Sequence, residues 1–439
     1  MSAVCLYFHV HQPYRVKRYN FMAVGQDHNY FNDDSESDLN NRKIIDKVAG
    51  KCYLPANQMW LELLAQHPEL RIAFSISGVA LDQFEEGAPE VLRSFQDLVA
   101  TGQVELISET YHHSLAFLES EQEFKEQVAL HRKRLYDLFG AVPKVFRNTE
   151  LIYRNDIARM VEGMGYQGLL TEGWDHYLGD RSPNFVYHAK DTPNLKLLLK
   201  NYKLSDDVAF RFSDRAWAEY PLTAPKFAQW VSSTNGSGEV VNLFMDYETM
   251  GEHHWEDTGI FDFWRSFPGE ILKHPDNTFV SPTEALTQFA PVGEYDVPHY
   301  LSWADVERDI SAWRSNPIQH DSLRAIYELE PVVRASGDTQ LLADWRKLQT
   351  SDHFYYMCTK WFADGDVHTY FSPYETPYDA FISYMNALAD LKLRVEQTEQ
   401  YHVPGINLTP KQTMVVPESF LKQTLKTWKD RLRSITTTV

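Results

Sequence analysis

Short apolar runs alternate with longer amphipathic segments over the first two thirds of the chain. Runs of about four to eight apolar residues between polar turns are typical of buried strands, whereas the segments between them repeat apolar residues every three to four positions, as helices do. This alternation predicts parallel strands joined by crossover helices. The seven predicted strands are residues 3–10, 71–77, 104–108, 144–148, 168–171, 195–199 and 239–245.

The strand pattern stops near residue 281. The stretch SPTEALTQF begins with Ser281, a proline and a glutamate, which is a typical helix start. Helical periodicity then continues to the end of the chain, with two further helices predicted around residues 377–398 and 417–433. The last third of the sequence is therefore predicted to be helical.

Seven strands with six crossovers suit either a barrel or an open doubly wound sheet. The stretch 178–194 reads as a loop within this α/β unit. We expect two domains, a catalytic α/β unit of residues 1–280 and a C-terminal α-helical domain of residues 281–439.

The acidic composition narrows the range of partners. The formal net charge is -19 and the pI is about 5.3, which argues against nucleic acid and anionic membranes because both require a basic surface. Aromatic residues make up 14% of the chain, with 11 Trp and 24 Tyr. Their flat faces could stack on sugar rings or could simply fill an aromatic core.

The cysteines and the N-terminus predict a cytoplasmic protein. Cys5, Cys52 and Cys358 are too few and too scattered for a disulfide framework or a cysteine-rich zinc site. The N-terminus MSAVCLYFHVHQP has no basic segment, and its apolar stretch is broken by two histidines, so no signal peptide is expected. No apolar run reaches the roughly 18 residues that a membrane span requires.

Polar and charged residues follow five of the predicted strands. The strand ends read HVHQPYR, ISETYHH, RNTELIY, TEGWDH and MDYETMGEHHW. Catalytic groups of parallel α/β folds collect where the carboxyl ends of the strands open into loops. One such ending could be an ordinary surface loop, but five converging on the same mouth predict an active site there.

Two of these residues, Glu150 and Asp246, are the best candidates for catalysis. Paired carboxylates with aromatic neighbours and no cofactor motif favour glycoside chemistry, in which one carboxyl protonates the leaving oxygen and the other attacks the anomeric carbon. A separation of about 5 Å would predict retention of configuration. Glu150 could instead pair with Arg147 or Arg154, and Asp246 could cap a helix.

The proposed acid must be protonated near neutral pH. We expect the Glu150 anion and the apolar side chains of Phe244 and Trp255 to raise the pKa of Asp246. Histidines near the strand ends could bind sugar hydroxyls, and aromatic residues could stack on the sugar or belong to the core. The histidines are His11, His112 and His253, and the aromatic residues are Tyr111, Trp174 and Trp255.

The sequence resembles the α-amylase group of glycoside hydrolase family 57. Five short signatures of that group occur in order over about 350 residues of the chain, together with the similar stretch PHYLSWADVERDISAW. The signatures are HQPYR at 11–15, GQVELI at 102–107, FRNTELIY at 146–153, MDYETMGEH at 245–253 and SDHFYYM at 351–357.

This resemblance implies an incomplete (β/α)7 barrel with a helical C-terminal region that closes over the site. It places the nucleophile at Glu150 and the general acid/base at Asp246. It also implies substrate contacts at five further positions, of which the first lies beside the sugar at the point of cleavage. These positions are His11, Glu105, Trp255, Asp352 and His353.

A metal site is the alternative for the first strand end. His9 and His11 in HVHQP are similar to zinc ligands of related barrels, such as family 38 mannosidases and polysaccharide deacetylases. Gln12 and Pro13, however, occupy the positions where a metal-binding aspartate would be needed. We expect no metal and no cofactor.

The resulting functional prediction is a retaining hydrolase of α-1,4-glucans such as starch, glycogen or maltodextrins. A 4-α-glucanotransferase or a branching enzyme remains an alternative, because these differ only in whether water or another sugar accepts the glycosyl group. A non-catalytic maltodextrin-binding protein is an alternative of another class.

Overall fold

All seven predicted strands are present in the computed structural model, which describes residues 2–34, 38–360 and 367–401. Three short strands accompany them within these residues. In chain order the strands are β1 (Ser2–Val10), β2 (Ile72–Ile76), β3 (Val104–Leu106), β4 (Val145–Arg147), β5 (Gly168–Glu172), β6 (Val186–Ala189), β7 (Thr192–Lys200), β8 (Val240–Asp246), β9 (Asn277–Phe279) and β10 (Glu294–Tyr295).

The seven predicted strands pair in parallel around a ring. Strand β1 lies between β8 and β2, β2 pairs with β3, and β4, β5 and β7 follow one another. Two seams of the ring are thin: β7 meets β8 at the single pair Lys200 and Asn242, and β3 meets β4 through the bridge between Ser108 and Phe146. The predicted incomplete (β/α)7 barrel is confirmed.

The three added strands were not predicted. A turn at Asp191, which has a positive φ of 56°, joins β6 to β7, and the two strands run antiparallel. Strand β10 pairs in parallel with β6, and β9 pairs in parallel with the start of β1. The prediction of a loop over 178–194 is therefore wrong for Val186–Ala189 and for residues 192–194, which begin β7. The prediction that strands stop at 281 is wrong for β10. Such short strands depend on neighbouring strands rather than on their own sequence pattern.

Helices connect and surround the barrel strands. The predicted helix start at Ser281 is a capping box, in which the Ser281 hydroxyl accepts from the backbone of Glu284 and the Glu284 side chain accepts in return. These helices are α1 (Asn41–Val48), α2 (Leu54–Gln66), α3 (Gly78–Gly87), α4 (Pro89–Ala100), α5 (Glu121–Phe139), α6 (Asn155–Gly163), α7 (Asp175–Leu178), α8 (Tyr202–Ala209), α9 (Ala224–Ser232), α10 (Ile260–Leu272) and α11 (Pro282–Gln288).

After residue 316 the described chain is mostly helical, but residues 301–316 form turns and loops. The prediction of continuous helix after 281 is therefore wrong for this stretch, which depends on contacts with the barrel rather than on its own periodicity. Residues 1–395 form one compact unit and residues 396–439 a second, of which the structure describes only the last turns of helix α17. The helix predicted over 417–433 lies outside the described residues, and the domain boundary at 280 stays a prediction. These helices are α12 (Pro317–Glu328), α13 (Glu330–Ser336), α14 (Thr339–Lys347), α15 (Ser351–Tyr355), α16 (Val367–Phe371) and α17 (Pro377–Tyr401).

None of the helices in the described ranges combines the length and the apolar character that crossing a membrane requires. Helix α17, the longest with 25 residues, contains acidic and basic side chains along its length.

Alternating side chains on β1 face two different cores. Ala3, Cys5 and Tyr7 pack with residues of the other strands inside the barrel, whereas Val4 and Leu6 pack against the surrounding helices. This alternation follows from the period of two along a strand. The next residue of the inward series is a histidine, at position 9, where the strand reaches the mouth of the barrel.

Gly251 is held tightly in the loop that follows β8. Its φ is 99°, and a Cβ at this position would overlap the carbonyl oxygen of Lys51. Gly140 also has a positive φ, 67°, but a Cβ there would meet no atom within 4 Å. Substituting alanine at each glycine therefore compares backbone strain alone, at Gly140, with backbone strain plus a steric clash, at Gly251.

We expect Gly251→Ala to lower the free energy of unfolding by about 3 kcal/mol, because it combines backbone strain with a steric clash. Gly140→Ala should cost only about 1 kcal/mol, the cost of a left-handed backbone. Urea unfolding of the two variants and the unsubstituted protein measures the difference. Equal losses would contradict the close approach of Gly251 to Lys51.

Candidate active site

A cavity of about 660 Å³ opens at the carboxyl ends of the barrel strands. Its volume is within the range of about 300–1,000 Å³ that is usual for small-molecule sites. Glu150 and Asp246 both line it, as do Trp303 and Asp352 from the region that follows the barrel. The barrel and the helical region therefore contribute to the same site.

Glu150 is presented on a strained turn directly after β4. It belongs to the 3-10 turn Thr149–Leu151 and has φ 58° and ψ 26°, a conformation that is uncommon for residues other than glycine. The indole nitrogen of Trp303 donates to Oε2 at 2.8 Å, and the backbone nitrogen of Trp303 lies 3.3 Å from the Glu150 carbonyl oxygen. His113 Nε2 lies 3.2 Å from Oε1, and Ser351 Oγ lies 3.3 Å from the same oxygen.

These neighbours keep the Glu150 carboxyl group ionised. Burial alone would raise the pKa of Glu150, but the hydrogen bond and charge of His113, together with the charge of Arg147, lower it below its ordinary value. Burial would lower the pKa of His113, but its contacts with Glu109 and Glu150 outweigh burial and raise the pKa to about 9. His113 is therefore a cation beside a carboxylate at neutral pH.

Asp246 is placed by the register of two parallel strands. His9 on β1 is paired with Asp246 on β8, and His9 Nδ1 lies 3.4 Å from Asp246 Oδ1. The Asp246 side chain is 38% exposed, toward the cavity that it lines. Asp246 precedes the 3-10 turn Tyr247–Thr249 but makes no capping hydrogen bond with its side chain, so the capping alternative is not realised.

The predicted rise in the pKa of Asp246 is wrong for the free protein. Burial does raise the pKa, but the hydrogen bond and charge of His9 and the charges of His253 and Arg147 lower it below its ordinary value. Phe244 lines the cavity as expected, whereas Trp255 is 62% exposed and lies under Lys51 instead.

A buried cluster joins the two carboxylates. The carboxylate of Glu109 is fully buried, and its Oε2 accepts from His9 Nε2 at 3.3 Å and from His113 Nδ1 at 3.1 Å. Burial would raise the pKa of Glu109, but the charges and hydrogen bonds of the two histidines hold it well below its ordinary value. The Arg147 guanidinium lies 4.9 Å from the Trp303 ring, with Nη1 3.4 Å from His9 Nε2.

The cluster has the residue types of a metal site but already contains a cation. The ligand atoms of His9, Glu109 and His113 lie within 4.8 Å of one another. However, Nη1 of the buried Arg147 lies 3.4 Å and 3.5 Å from the two histidine nitrogens that would face an ion. A second positive charge at this position would be repelled, so we do not assign these residues as metal ligands.

His11 is a neutral ring that donates to the Asp352 carboxylate at the cavity wall. Its Nε2 donates to Asp352 Oδ2 at 3.0 Å, and its Nδ1 accepts from the Ser77 hydroxyl at 2.7 Å. Burial and the neighbouring cation of His113 lower the pKa of His11 to about 4. The side chains of His11, Ser77 and Asp352 therefore offer donors and acceptors at the edge of the cavity and carry no net positive charge.

A charged group anchors the loop that carries Trp303. Arg308 on this loop donates to Glu172 at 2.6 Å and to Asp206 at 3.2 Å. Lys200 donates to Asp206 at 2.8 Å and lies 5.4 Å from the Trp303 ring. Because these charges are buried and paired, the loop that delivers Trp303 to the Glu150 carboxylate is held in one position.

The cavity includes some of the predicted binding residues. His11, His253 and Asp352 line it, in addition to the two carboxylates. Trp174 packs against His176 and Tyr177, and Trp255 faces solvent, so neither aromatic side chain reaches the cavity.

Four other predicted binding residues have different partners and do not line the cavity. The carboxylate of Glu105 accepts from Thr283 at the start of helix α11, and the Tyr111 hydroxyl donates to Asp82. His112 is buried beneath helix α5, where its backbone nitrogen donates to the Gln127 side chain. His353 Nε2 lies 3.2 Å from the carbonyl oxygen of Lys347.

Sequence reasoning missed several residues that contact the carboxylates. It selected His112 where the adjacent His113 binds Glu150, considered His9 only as a metal ligand, and did not single out Glu109 or Trp303. For Glu109 a signal existed, since it lies two positions after the inward-facing Ile107, which directly follows β3. For Trp303 the only signal was its place within PHYLSWADVERDISAW.

An ionised carboxylate and a second carboxyl that faces the same cavity are the arrangement by which glycoside hydrolases work. A family model described as "Glycosyl hydrolase family 57" matches residues 5–298. The chain belongs to glycosyl hydrolase family 57, as its five signatures predicted, and is a glycoside hydrolase.

Two curated relatives carry names of amylases. The "Putative alpha-amylase" of Methanocaldococcus jannaschii is 43% identical over 401 residues, which are 89% of this chain and 84% of that protein. The "Alpha-amylase" of Pyrococcus abyssi is 22% identical over 256 residues, which are 57% of this chain and 38% of that protein. The chain thus spans most of the first relative and less than half of the second.

Solved structures share the fold at low sequence identity. A "GH57-type branching enzyme" from Pyrococcus horikoshii has a TM-score of 0.67 and 14% identity, with 95% of this chain and 99% of that chain covered. A "4-alpha-glucanotransferase" from Thermococcus litoralis has a TM-score of 0.59 and 16% identity, with 80% of this chain and 56% of that chain covered. At these identities the likeness extends to the fold alone.

Glu248 is a buried carboxyl group of the cavity wall, two residues after Asp246. Its Oε1 accepts from the Tyr53 hydroxyl at 2.5 Å, and burial and the charge of Asp246 raise its pKa to about 8 from an ordinary 4.5. Between these two pH values the folded state holds a proton that the unfolded state has lost. The free energy of unfolding should therefore fall as the pH rises through this window.

We expect Glu248→Gln to remove most of this slope, which for one proton approaches about 1.4 kcal/mol per pH unit. Urea unfolding at pH 5, 6, 7 and 8 measures it. Glu256→Gln, a change to an exposed carboxylate of the same loop, is the matched control and should leave the slope unchanged. An unchanged slope in Glu248→Gln would show that Glu248 is ionised in the folded protein.

Proposed function

We propose that the protein hydrolyses α-1,4-linked glucans with retention of configuration, using Glu150 as the nucleophile and Asp246 as the general acid/base. The observation that carries the proposal is the difference between the two carboxyl groups in one cavity. Glu150 is surrounded by three donors, one of which is the His113 cation, whereas Asp246 has one histidine contact and faces the open space.

In the first step Glu150 attacks the anomeric carbon while Asp246 protonates the departing glycosidic oxygen. The bond from the anomeric carbon to that oxygen breaks as the bond to the Glu150 carboxylate forms. The hydrogen bond from Trp303 orients Glu150, and the Arg147 and His113 cations keep it ionised before the attack. The His113 cation also limits repulsion between the two carboxylates.

Bound sugar changes the protonation of Asp246. The Asp246 side chain is 38% exposed in the free protein, and a sugar filling the cavity would remove that contact with water. Desolvation raises the pKa of a carboxyl group, so substrate binding favours the acid form. In the second step Asp246, now ionised, accepts a proton from the water that hydrolyses the glycosyl ester.

The substrate class is supported by the relative that spans most of this chain. That protein, 43% identical, has the printed name of an alpha-amylase. Within the cavity, His11, Asp352 and His253 supply donors and acceptors suited to sugar hydroxyls. The structural relatives named as a branching enzyme and a glucanotransferase keep glycosyl transfer as the second candidate, because the acceptor alone distinguishes these reactions.

We also propose that the protein is cytoplasmic and that its partner is a glucan substrate, not nucleic acid or a membrane. All three cysteines, Cys5, Cys52 and Cys358, are buried and unpaired, as expected of a reducing compartment. A maltodextrin-binding role without catalysis is disfavoured by the presence of both carboxyl groups in the cavity.

We expect incubation with maltoheptaose to release new reducing ends whose anomeric proton signal is initially α, because two inversions at one carbon restore the configuration. Proton NMR of the first turnovers, combined with product analysis over time, measures linkage, activity and stereochemistry. A ladder of chains longer than the substrate would instead identify a glucanotransferase. Tight binding without any new reducing end would identify a binding protein.

We expect Glu150→Gln and Asp246→Asn each to lower kcat on maltoheptaose by at least about 10³-fold. The two variants should differ in the first turnover on α-maltosyl fluoride, because fluoride departs without protonation: Asp246→Asn should release a burst of fluoride before its slowed second step, and Glu150→Gln should release none. Asp257→Asn, which changes an exposed carboxylate four residues after the cavity-lining His253, is the control. Near-normal activity of Glu150→Gln on both substrates would overturn the assignment of the nucleophile.

A further inference from the structure

A continuous series of hydrogen-bond contacts links the two carboxyl groups of the cavity. It runs from Asp246 Oδ1 to His9 Nδ1 at 3.4 Å, and from His9 Nε2 to Glu109 Oε2 at 3.3 Å. It continues from Glu109 Oε2 to His113 Nδ1 at 3.1 Å and from His113 Nε2 to Glu150 Oε1 at 3.2 Å. Glu109, at the centre, faces neither the cavity nor solvent.

The position of Glu109 is fixed from its backbone as well as from its carboxylate. The Glu109 backbone nitrogen donates to His131 Nδ1 at 3.1 Å, and His131 Nε2 donates to the carbonyl oxygen of Ile76 at 2.8 Å. His131 belongs to helix α5, and Ile76 ends strand β2. The carboxylate of Glu109 is therefore held by the scaffold and not by the substrate.

An ionised carboxylate can only accept hydrogen bonds. Glu109 therefore requires that His9 carry a proton on Nε2 and that His113 carry one on Nδ1. In the case of His9, any further proton must lie on Nδ1, between the ring and Asp246 Oδ1. A hydrogen bond at the 3.4 Å contact between His9 Nδ1 and Asp246 Oδ1 would require one proton, on either Nδ1 or Oδ1.

Arg147 would favour unprotonated nitrogens at His9 Nε2 and His113 Nδ1, but its contacts with them are longer than those of Glu109. Its Nη1 lies 3.4 Å from His9 Nε2 and 3.5 Å from His113 Nδ1, and an arginine nitrogen can only donate. The corresponding distances to Glu109 are 3.3 Å and 3.1 Å, and a hydrogen bond to a carboxylate is stronger than one between an arginine and a neutral nitrogen lone pair. The Glu109 contacts therefore decide which nitrogens carry protons.

We propose that Glu109 is a positioning residue that makes His9 the store of the proton used by Asp246. This inference rests on the proposed function of Asp246 as the general acid. In the free protein the proton lies on His9 Nδ1, and Asp246 is a carboxylate. When sugar excludes water, the neutral pair becomes more stable than the ion pair, and the proton moves from Nδ1 to Oδ1. It then passes from Asp246 to the glycosidic oxygen as the glycosidic bond breaks.

Replacing the Glu109 carboxylate by an amide removes the charge that supports a doubly protonated His9. We expect Glu109→Gln to lower kcat on maltoheptaose by about 10²–10³-fold, the size of a general-acid contribution, with little change in KM. On α-maltosyl fluoride, whose leaving group needs no proton, the loss should be less than about tenfold. Equal losses on both substrates would contradict the proposal.

A double-substitution cycle tests whether Glu109 acts through His9. In a His9→Gln background, which has no ring to hold the proton, Glu109→Gln should lower kcat by no more than about twofold further. An undiminished effect in that background would show that Glu109 acts through another residue. The matched control is Glu123→Gln, which removes the charge of another buried carboxylate, bonded to Arg334 and Arg346 away from the cavity. Its activity should equal that of the unsubstituted enzyme.

A measurement without substrate separates this proposal from the proposed function. In protein labelled with ¹⁵N-histidine, the His9 signals, assigned by their loss in His9→Gln, should show both ring nitrogens protonated at pH 7. Glu109→Gln should convert them to those of a neutral ring. A neutral His9 in the unsubstituted protein would overturn the proton store even if the enzyme cleaves glucans. Protonated His9 in a protein inactive on both substrates would leave the store intact and refute the glucan assignment.

Discussion

The buried Glu109 carboxylate between two histidines is the interaction on which the site depends. A charge removed from water is tolerated only when it is paired and hydrogen-bonded, and the contacts of Glu109 with the two histidines meet that need. The same contacts leave each histidine with one nitrogen directed at a carboxyl group of the cavity. The same two histidines that stabilise the buried Glu109 carboxylate therefore also stabilise the ionised forms of Asp246 and Glu150.

Two parts of the chain build this site in different ways. The barrel contributes inward side chains whose spacing is set by parallel register, as for His9 beside Asp246. The region after the barrel contributes Trp303 and Asp352, which approach from loops and a short helix. Arg308 ties the Trp303 loop back to charges at the barrel rim. A rigid ring with an anchored loop gives a cavity whose reacting groups are positioned before substrate arrives.

Much of this could be predicted because strand periodicity and strand exits are local features. The seven ring strands follow from apolar runs, and Glu150 and Asp246 follow from their positions at the carboxyl ends of two of them. The short strand β6 could not be predicted, because its four residues are strands only through pairing with β7. The choice between His112 and His113 could not be made either, since a tight turn with a positive φ of 50° at His113 ends the strand alternation.

The amino-acid sequence by itself determined the barrel, the family and the two carboxyl groups, because periodicity and short signatures are properties of neighbouring residues. Only the tertiary structure decided how those groups are protonated. The pKa of Asp246 is lowered by a histidine 237 positions away, although its apolar neighbours predict the reverse. Electrostatic interactions depend on distance in space and on burial, and neither can be read from the separation of residues along the chain.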